Sequence, residues 1–261
     1  MIDHRRLQRA LFRLQLDPGW RPGEHELGAG ERALLAAAHP AGLSADPGGR
    51  RRAQFLRNVS GEFALSLAVT KDGALAERFT SSREFHDAVT SDSSLPLAFG
   101  EYLIRAEAGP LAALEAALAR ARRARRAVPR LAPDELVLAP WAELLELPAG
   151  TLAAAERVRA ALDAGDPTPI GVEIAGAGSE TLLLRREPEP APFRLASVEV
   201  ERLSPALAAL LARAERPLDA GARAREARAA GLTVTELHEI IAGLVADRIL
   251  VGGEASHTTG R

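Results

Sequence analysis

Apolar residues in the first half of the chain recur every three or four positions, as they do in amphipathic helices. Leu7, Leu11 and Leu14, with Phe12 beside them, form one such face. Asp3 is suited to cap this helix, and Asp17-Pro18-Gly19 ends it. The same spacing predicts further helices over 31–39, 50–70, 81–89, 95–106 and 109–126. We therefore expect a bundle of five or six helices.

Shorter segments with strand-like patterns appear in the second half. Two prolines in the sequence Val128-Pro129-Arg130-Leu131-Ala132-Pro133 prevent a helix from continuing, which predicts domains of residues 1–130 and 131–261. Strands are predicted over 135–138, 170–175, 181–186, 196–201 and 249–251, and helices over 151–164, 204–214, 220–229 and 233–246. The expected fold is α+β: an N-terminal helical bundle, then a small domain with a three- to four-stranded antiparallel sheet. Its strand-then-helix order resembles both a winged-helix unit and a small peptide-recognition domain.

Composition and the absence of targeting segments indicate where in the cell the protein is found. The chain of 261 residues is 47% apolar, enough for a sizeable core, and it has no cysteine, which excludes disulfides, thiolate metal sites and a cysteine nucleophile. The first residues, MIDHRRLQRALFRLQ, lack the apolar centre of a signal peptide. No run approaches the ~18 apolar residues that a membrane span needs. We expect a cytoplasmic protein with no membrane contact.

Charge is distributed unevenly between the two halves. Residues 1–130 carry 20 Lys+Arg and 15 Asp+Glu, whereas the remainder carries 13 Lys+Arg and 20 Asp+Glu. The net charge of the whole chain is only -2. A basic half and an acidic half indicate two modules with different contacts.

The sequence lacks the patterns that carry catalysis. None of the six histidines lies three or four residues from another, so no helical chelating pair exists. A Gly-x-Ser-x-Gly elbow, a phosphate-binding loop and a dinucleotide fingerprint are also missing. We expect no enzyme activity, no metal and no cofactor.

One feature of the sequence favours nucleic-acid binding, and another argues against it. The end of the predicted helix over 109–126 is densely basic, with Arg120, Arg122, Arg123, Arg125 and Arg126. Cations are favoured at a helix C-terminus by the helix dipole, which explains the run without a nucleic acid. The predicted helix over 233–246, which would read DNA in a winged-helix unit, carries Glu236 and Glu239 and no Arg or Lys. A winged-helix regulator is therefore the second hypothesis.

Peptide capture is the first hypothesis. A small sheet with an exposed edge accepts an extended segment as an additional strand. Ser197, Val198, Glu199 and Val200 alternate as such an edge requires, and an apolar groove beside it is predicted from residues of the last helix: Ile240, Ile241 and Leu244. The alternative is that these helix residues form the core of the small domain, since amphipathic stripes usually face inward.

A resemblance supports this hypothesis. The segments RRAQFLRNVSGEFALSLAVT and EFHDAVTSDSSLPLAFGEYL resemble the helical domain of partner proteins that accompany multinuclear iron-dependent oxidases, the group of the methanobactin-maturase partner subunit. ELVLAPWAELLELPAGTL, SVEVERLSPALAALL and TELHEIIAGLVADRIL follow the order of a leader-peptide recognition domain. The match extends over most of the chain, and its motifs are mainly apolar spacings.

The resemblance implies a function without catalysis. In that group the oxidase holds the iron, and the partner binds the leader of a ribosomally made precursor peptide and presents its core. By this resemblance the helical domain forms a heterodimer with the oxidase near Arg57 and Asn58. The pairing strand would run from Ser197 to Val200, with the apolar residues of the last helix beside it.

Overall fold

A computed structural model describes the chain in segments. The described residues are 3–16, 20–23, 25–37, 56–70, 74–91, 93–106, 108–124, 127, 129–165, 174, 176–187, 195–229 and 231–253. They form two compact units, one of Met1–Ala119 with Ala153–Glu173 and one of Arg120–Leu152 with Ile174–Arg261. The structure thus divides the chain about ten residues before the predicted boundary and assigns most of a later helix to the first unit. No helix within the described ranges has the length and apolar character to cross a membrane.

Helices build the first unit. They are α1 His4–Leu16, α2 Ala29–Ala37, α3 at 56–62, α4 Ala64–Val69, α5 Leu75–Phe79, α6 Arg83–Ser91, α7 Leu95–Arg105, α8 Pro110–Arg123 and α9 Thr151–Asp163, of which α8 and α9 extend into the second unit. The core of this unit is aromatic. The rings of Phe63 and Phe79 each pack edge-to-face against Phe99, with centroid distances of 5.1 and 5.0 Å. Gly100 allows α7 to approach α8, because a Cβ there would lie 2.8 Å from the Cβ of Ala116.

The helix starts agree with the predictions in part. Asp3 caps α1 as expected, and its carboxylate accepts hydrogen bonds from the backbone N–H groups of Arg5 and Arg6 at 3.0 and 3.1 Å. At α6, predicted to begin at residue 81, the hydroxyl of Ser82 accepts a hydrogen bond from the N–H of Phe85 at 3.2 Å. The short helix α5 was not predicted, because five residues are too few to show a period.

The predicted helix over 50–70 is interrupted at Phe63, within the part that the structure describes. The interruption has a long-range cause in Glu115 of α8, whose side chain is only 3% exposed. Its carboxylate accepts hydrogen bonds from the backbone N–H groups of Leu65 and Ser66 at 2.8 and 2.9 Å, and another from the Ser66 hydroxyl. These N–H groups belong to the first turn of α4, so a carboxylate from another helix replaces the missing N-cap side chain.

The described residues of the second unit form two small antiparallel sheets and three helices that lie wholly within it. Strands β1 Leu136–Leu138 and β5 Leu250–Gly252 form one sheet, and β2 Ala142–Pro148, β3 Ser179–Arg186 and β4 Val198–Arg202 form the other, with β3 in the middle. The helices are α10 Pro205–Arg213, α11 Ala220–Ala229 and α12 Val234–Ala246. The fold is therefore mixed α+β, as predicted.

The strand predictions were incomplete in one respect. Strands β1, β3, β4 and β5 were predicted within two residues, whereas β2 was not, because AELLELP consists mostly of helix-favouring residues. The predicted strand over 170–175 lies outside the described residues apart from Ile174, which is not in a strand. The partner of β3 is β2, through seven residue pairs from Ala142 with Arg185 to Pro148 with Ser179.

Helix α12 and the three-stranded sheet share one core. Leu237, Ile241 and Leu244 of α12 are buried in the same cluster as Leu183 of β3 and Leu203 after β4. The start of α12 is fixed by a reciprocal capping box between Thr233 and Glu236. This packing holds the sheet against α12.

Removal of the Glu115 carboxylate is expected to destabilise the first unit. Glu115→Ala leaves two buried N–H groups without their acceptor and should lower the free energy of unfolding by about 2–4 kcal/mol. Trp20 lies in the first unit and Trp141 in the second, so urea denaturation followed by Trp20 fluorescence in a Trp141→Phe background measures this unit. Glu101→Ala, at an exposed position of α7, is the control and should change stability by under about 0.5 kcal/mol. Equal effects of the two substitutions would contradict the capping role.

The stability of this unit should also depend on pH through Glu115. Burial raises the pKa of the Glu115 carboxyl above its ordinary value of 4.5, in spite of the hydrogen bonds from Ser66 and Leu65. The folded protein therefore keeps a proton that the unfolded chain loses first, so this group's contribution is complete below pH 4.5 and declines as the pH rises toward the folded pKa. Glu115→Gln cannot ionise. The difference in unfolding free energy, wild type minus Glu115→Gln, should fall as the pH rises from 4 to 7, and a constant difference would contradict the raised pKa.

Candidate functional site

Strand β4 lies at the edge of the three-stranded sheet and pairs only with β3 among the described strands. The register joins Val198 with Arg186, Val200 with Leu184 and Arg202 with Leu182. On either side of the strand, the Ser197 carbonyl accepts from the Glu187 N–H at 3.0 Å and the Leu203 N–H donates to the Thr181 carbonyl at 2.9 Å. Odd-numbered residues of β4 thus form the hydrogen-bonded pairs with β3.

The even-numbered residues consequently direct their backbone groups to the open side. In an antiparallel pair, residues between the hydrogen-bonded pairs turn their N–H and C=O away from the partner strand. These residues are Val198, Val200 and Arg202. No backbone group of the described residues pairs with their outward N–H and C=O groups. This side of β4 can accept a further strand.

The opposite edge of the sheet contains a proline. At β2 the Arg186 N–H donates to the Trp141 carbonyl and the Ala149 N–H donates to the Gly178 carbonyl, so even-numbered residues face outward there. One of them is Pro148, which has no N–H to offer. Ala142 uses its N–H in a bond to the Ala139 carbonyl. Two of the four outward N–H groups of β2 are thus missing or engaged, whereas every outward residue of β4 keeps its N–H.

One face of β4 is turned toward α12. Glu199 and Glu201 lie on the same face as the buried Leu183, because paired residues share a face. Arg185 connects this face to the helix: its Nε donates to the Glu199 carboxylate at 3.0 Å, and its Nη1 donates to the Asp247 carbonyl at the end of α12 at 3.3 Å. The edge strand therefore borders α12 and is tied to its last turn.

The other face of β4 carries Val198, Val200 and Arg202. Both valines are half-buried. Arg202 pairs with the buried Glu180 at 3.0 Å, and Glu180 also accepts from the Leu152 N–H at 2.8 Å. Ion pairs on both faces thus fix the strand while its outward backbone stays open.

The structure places the predicted strand residues together and separates the predicted helix residues. Ser197 donates its hydroxyl to Glu187 at 3.2 Å just before β4, and Val198, Glu199 and Val200 belong to the strand. Ile241 and Leu244 are each 7% exposed and belong to the core under the sheet, so they do not line a surface. Ile240 is 37% exposed on the outer side of α12. Of the three, Ile240 alone is accessible to a ligand.

Arg57 and Asn58 lie in the other unit. Both are exposed residues of α3. Their expected role at an oxidase contact stays a prediction.

Sequence reasoning missed the residues at the beginning of the β4 edge. Trp141 donates its Nε1–H to the Arg248 carbonyl at 2.8 Å, and both residues line a cavity of about 390 Å³ with Arg186, Glu187, Ser197 and Glu199. Arg248 has φ +58°, the left-handed region. The helix end near residue 246 was predictable, whereas the pairing of Trp141 with a residue 107 positions later had no local signal.

Metal ligands do not cluster among the described residues. Within the described part of the chain, no group of three or more His, Asp or Glu side chains is placed to hold a metal ion. Arg120, at the start of the basic run, pairs with Glu143 at 3.6 Å, and Arg125 and Arg126 lie outside the described residues. What the site offers is backbone hydrogen bonding beside charged and apolar side chains.

Comparison with known proteins finds no family model and no curated protein that matches the chain.

Proline substitutions in β4 should destabilise the protein more where the N–H bonds to β3 than where the N–H faces outward. Val200→Pro removes an N–H that faces away from β3 and should change the free energy of unfolding by under about 1 kcal/mol. Glu201→Pro removes an N–H of the β3 ladder and should cost about 3 kcal/mol or more. Urea denaturation followed by Trp141 fluorescence in a Trp20→Phe background measures both. If Val200→Pro were the more damaging of the two, the assignment of outward residues would be wrong.

Proposed function

We propose that this protein is a non-catalytic peptide-binding partner that captures an extended segment as a new strand on β4. The observation that carries the proposal is the outward row of backbone donors and acceptors at Val198, Val200 and Arg202. Main-chain bonds in such a complex supply affinity, and the side chains beside the edge supply specificity.

The neighbourhood of the edge supports this mode of binding. The face turned toward α12 offers the charged Glu199 and Glu201, and the other face offers the half-buried Val198 and Val200. An added strand would place alternate side chains against these two surfaces. Because β4 is already held by Arg185 and Arg202, the ligand orders mainly itself on binding.

We further propose that the ligand is the leader of a precursor peptide and that the first unit docks an iron-dependent oxidase. The resemblance of α3, α4, α6 and α7 to the helical partners of such oxidases supports this assignment, with Arg57 and Asn58 at the contact. The oxidase would supply the iron and the oxidation. The partner would raise the local concentration of the peptide at that enzyme. Effective concentrations reach the millimolar range when the connection is short and flexible.

A winged-helix regulator is the second candidate, and the charge of α12 argues against it. Glu236 occupies the first turn of this helix, and the Thr233 backbone N–H holds the pKa of its carboxyl below the ordinary value, so it stays negative. Glu239 follows on the same helix, which has no Arg or Lys. Negative charge at the start of a recognition helix opposes contact with phosphate.

Substitution of Val200 with proline is expected to weaken peptide binding while the protein stays folded. The ligand is a labelled precursor peptide encoded next to an oxidase gene in the same genome region, titrated against the full chain by fluorescence anisotropy. Val200→Pro should weaken binding by about tenfold or more, because it removes a central donor of the new ladder. Val200→Thr keeps this N–H and the branched side chain and should bind as the wild type does.

The same preparation tests the partner assignment. Co-expression with the neighbouring oxidase should give a complex that purifies intact with wild type and with Val200→Pro alike, since the edge belongs to the other unit. Salt-sensitive retention of duplex DNA at about 0.15 M salt, without peptide binding, would instead support the regulator.

A further inference from the structure

The cavity at the beginning of β4 contains two arginines without a counter-ion. Neither Arg186 nor Arg248 has a nitrogen within 4.0 Å of a carboxylate oxygen of any described residue. The Arg186 Nε is buried and has no hydrogen-bond partner among the described residues. A buried guanidinium donor without an acceptor is unfavourable, and a carboxylate that binds the same guanidinium from the cavity would offset part of this cost.

Three carboxylate residues, Glu187, Glu199 and Asp247, line this cavity, and none has an oxygen within 4.0 Å of a nitrogen of Arg186 or Arg248. Glu199 is paired with Arg185, and Glu187 accepts the hydroxyl of Ser197 at 3.2 Å. Asp247 contributes its backbone carbonyl to Arg185. The donors of Arg186 and Arg248 therefore remain available in spite of nearby negative charge.

Arg248 also occupies a backbone conformation that favours glycine. It follows α12 with φ +58°, and the Ile249 N–H donates to the Leu244 carbonyl at 2.8 Å, as in a Schellman motif. Any side chain is disfavoured at this left-handed position. A long charged side chain here points to a use for the guanidinium, because strain of this kind is often retained at functional sites.

We propose that this cavity binds the carboxylate of an acidic side chain in the segment added to β4, so the protein selects peptides with Glu or Asp at one register position. This inference rests on the proposed strand addition and specifies its ligand. The planar fork of a guanidinium matches a carboxylate with two parallel hydrogen bonds. Ser197 and Glu199 line the cavity, which places it along the first half of the edge strand.

A peptide series with a moving glutamate tests the proposal. The probes are labelled seven-residue peptides of alternating threonine and valine, blocked at both ends, with one Glu at each position in turn and Gln in a matched set. Side chains alternate between the two faces of a strand, so affinity for the Glu peptides should vary with a period of two residues. At the best position Glu should bind about tenfold more tightly than Gln.

Two variants assign the preference to the cavity. Arg248→Gly should abolish the difference between Glu and Gln while the thermal midpoint stays the same or rises by about 2 °C, because glycine relieves the left-handed strain. Arg186→Met should reduce the same difference independently. Arg216→Gln is the control, since it removes a positive charge from an exposed residue of the same unit outside the cavity lining, and it should keep the tenfold preference.

The outcomes separate the two proposals. Equal binding of Glu and Gln peptides at every position, still sensitive to Val200→Pro, overturns the acidic pocket and leaves strand addition standing. Failure of every peptide in both sets to bind overturns strand addition and the pocket with it. A Glu preference that survives both Arg248→Gly and Arg186→Met also overturns the assignment to this cavity.

Discussion

The alternation of hydrogen-bonding direction along an antiparallel strand determines what this protein offers to a ligand. Odd-numbered residues of β4 are committed to β3, so the backbone of Val198, Val200 and Arg202 must face away from the sheet. A shift of one residue in the register would exchange these sets and turn every side chain to the opposite face. Leu183 and Leu203 prevent such a shift, because both are buried in the core with α12. Burial of these leucines therefore fixes which backbone groups are open.

The contrast between the two sheet edges indicates that the opening at β4 is a specific feature of this fold. Proteins commonly protect exposed strand edges with proline, charge or a covering helix. Strand β2 has one of these protections, Pro148 at an outward position. Strand β4 carries charges on its side chains, but Glu199 and Arg202 are paired across the sheet surface, where they stabilise the strand without blocking its outward backbone. Strand β4 therefore combines support from ion pairs with an outward backbone that no proline interrupts.

Local pattern predicted most elements of the fold, and long-range contacts account for what it missed. The alternation at 197–200 identified the edge strand, and apolar periodicity identified α12. Periodicity alone cannot separate a groove from a core, so Ile241 and Leu244 lie in the core while Ile240 is accessible. The interruption at Phe63 depends on Glu115, about fifty residues away, and β2 forms because β3 pairs with it in spite of its helix-favouring composition. These contacts join segments whose sequences give no sign of each other.

The backbone around Arg248 connects several of these constraints. Its left-handed conformation ends α12 and turns the chain into β5, which pairs with β1. The Arg248 carbonyl accepts the Trp141 indole N–H at the start of β2, and the preceding carbonyl of Asp247 accepts Arg185 of β3. This turn thus fixes α12 to the sheet through two of its own backbone carbonyls, which accept from the side chains of Trp141 and Arg185, a role that glycine would fill with less strain. Since the Arg248 side chain takes no part in these bonds, we attribute the arginine at this position to the proposed pocket rather than to the fold.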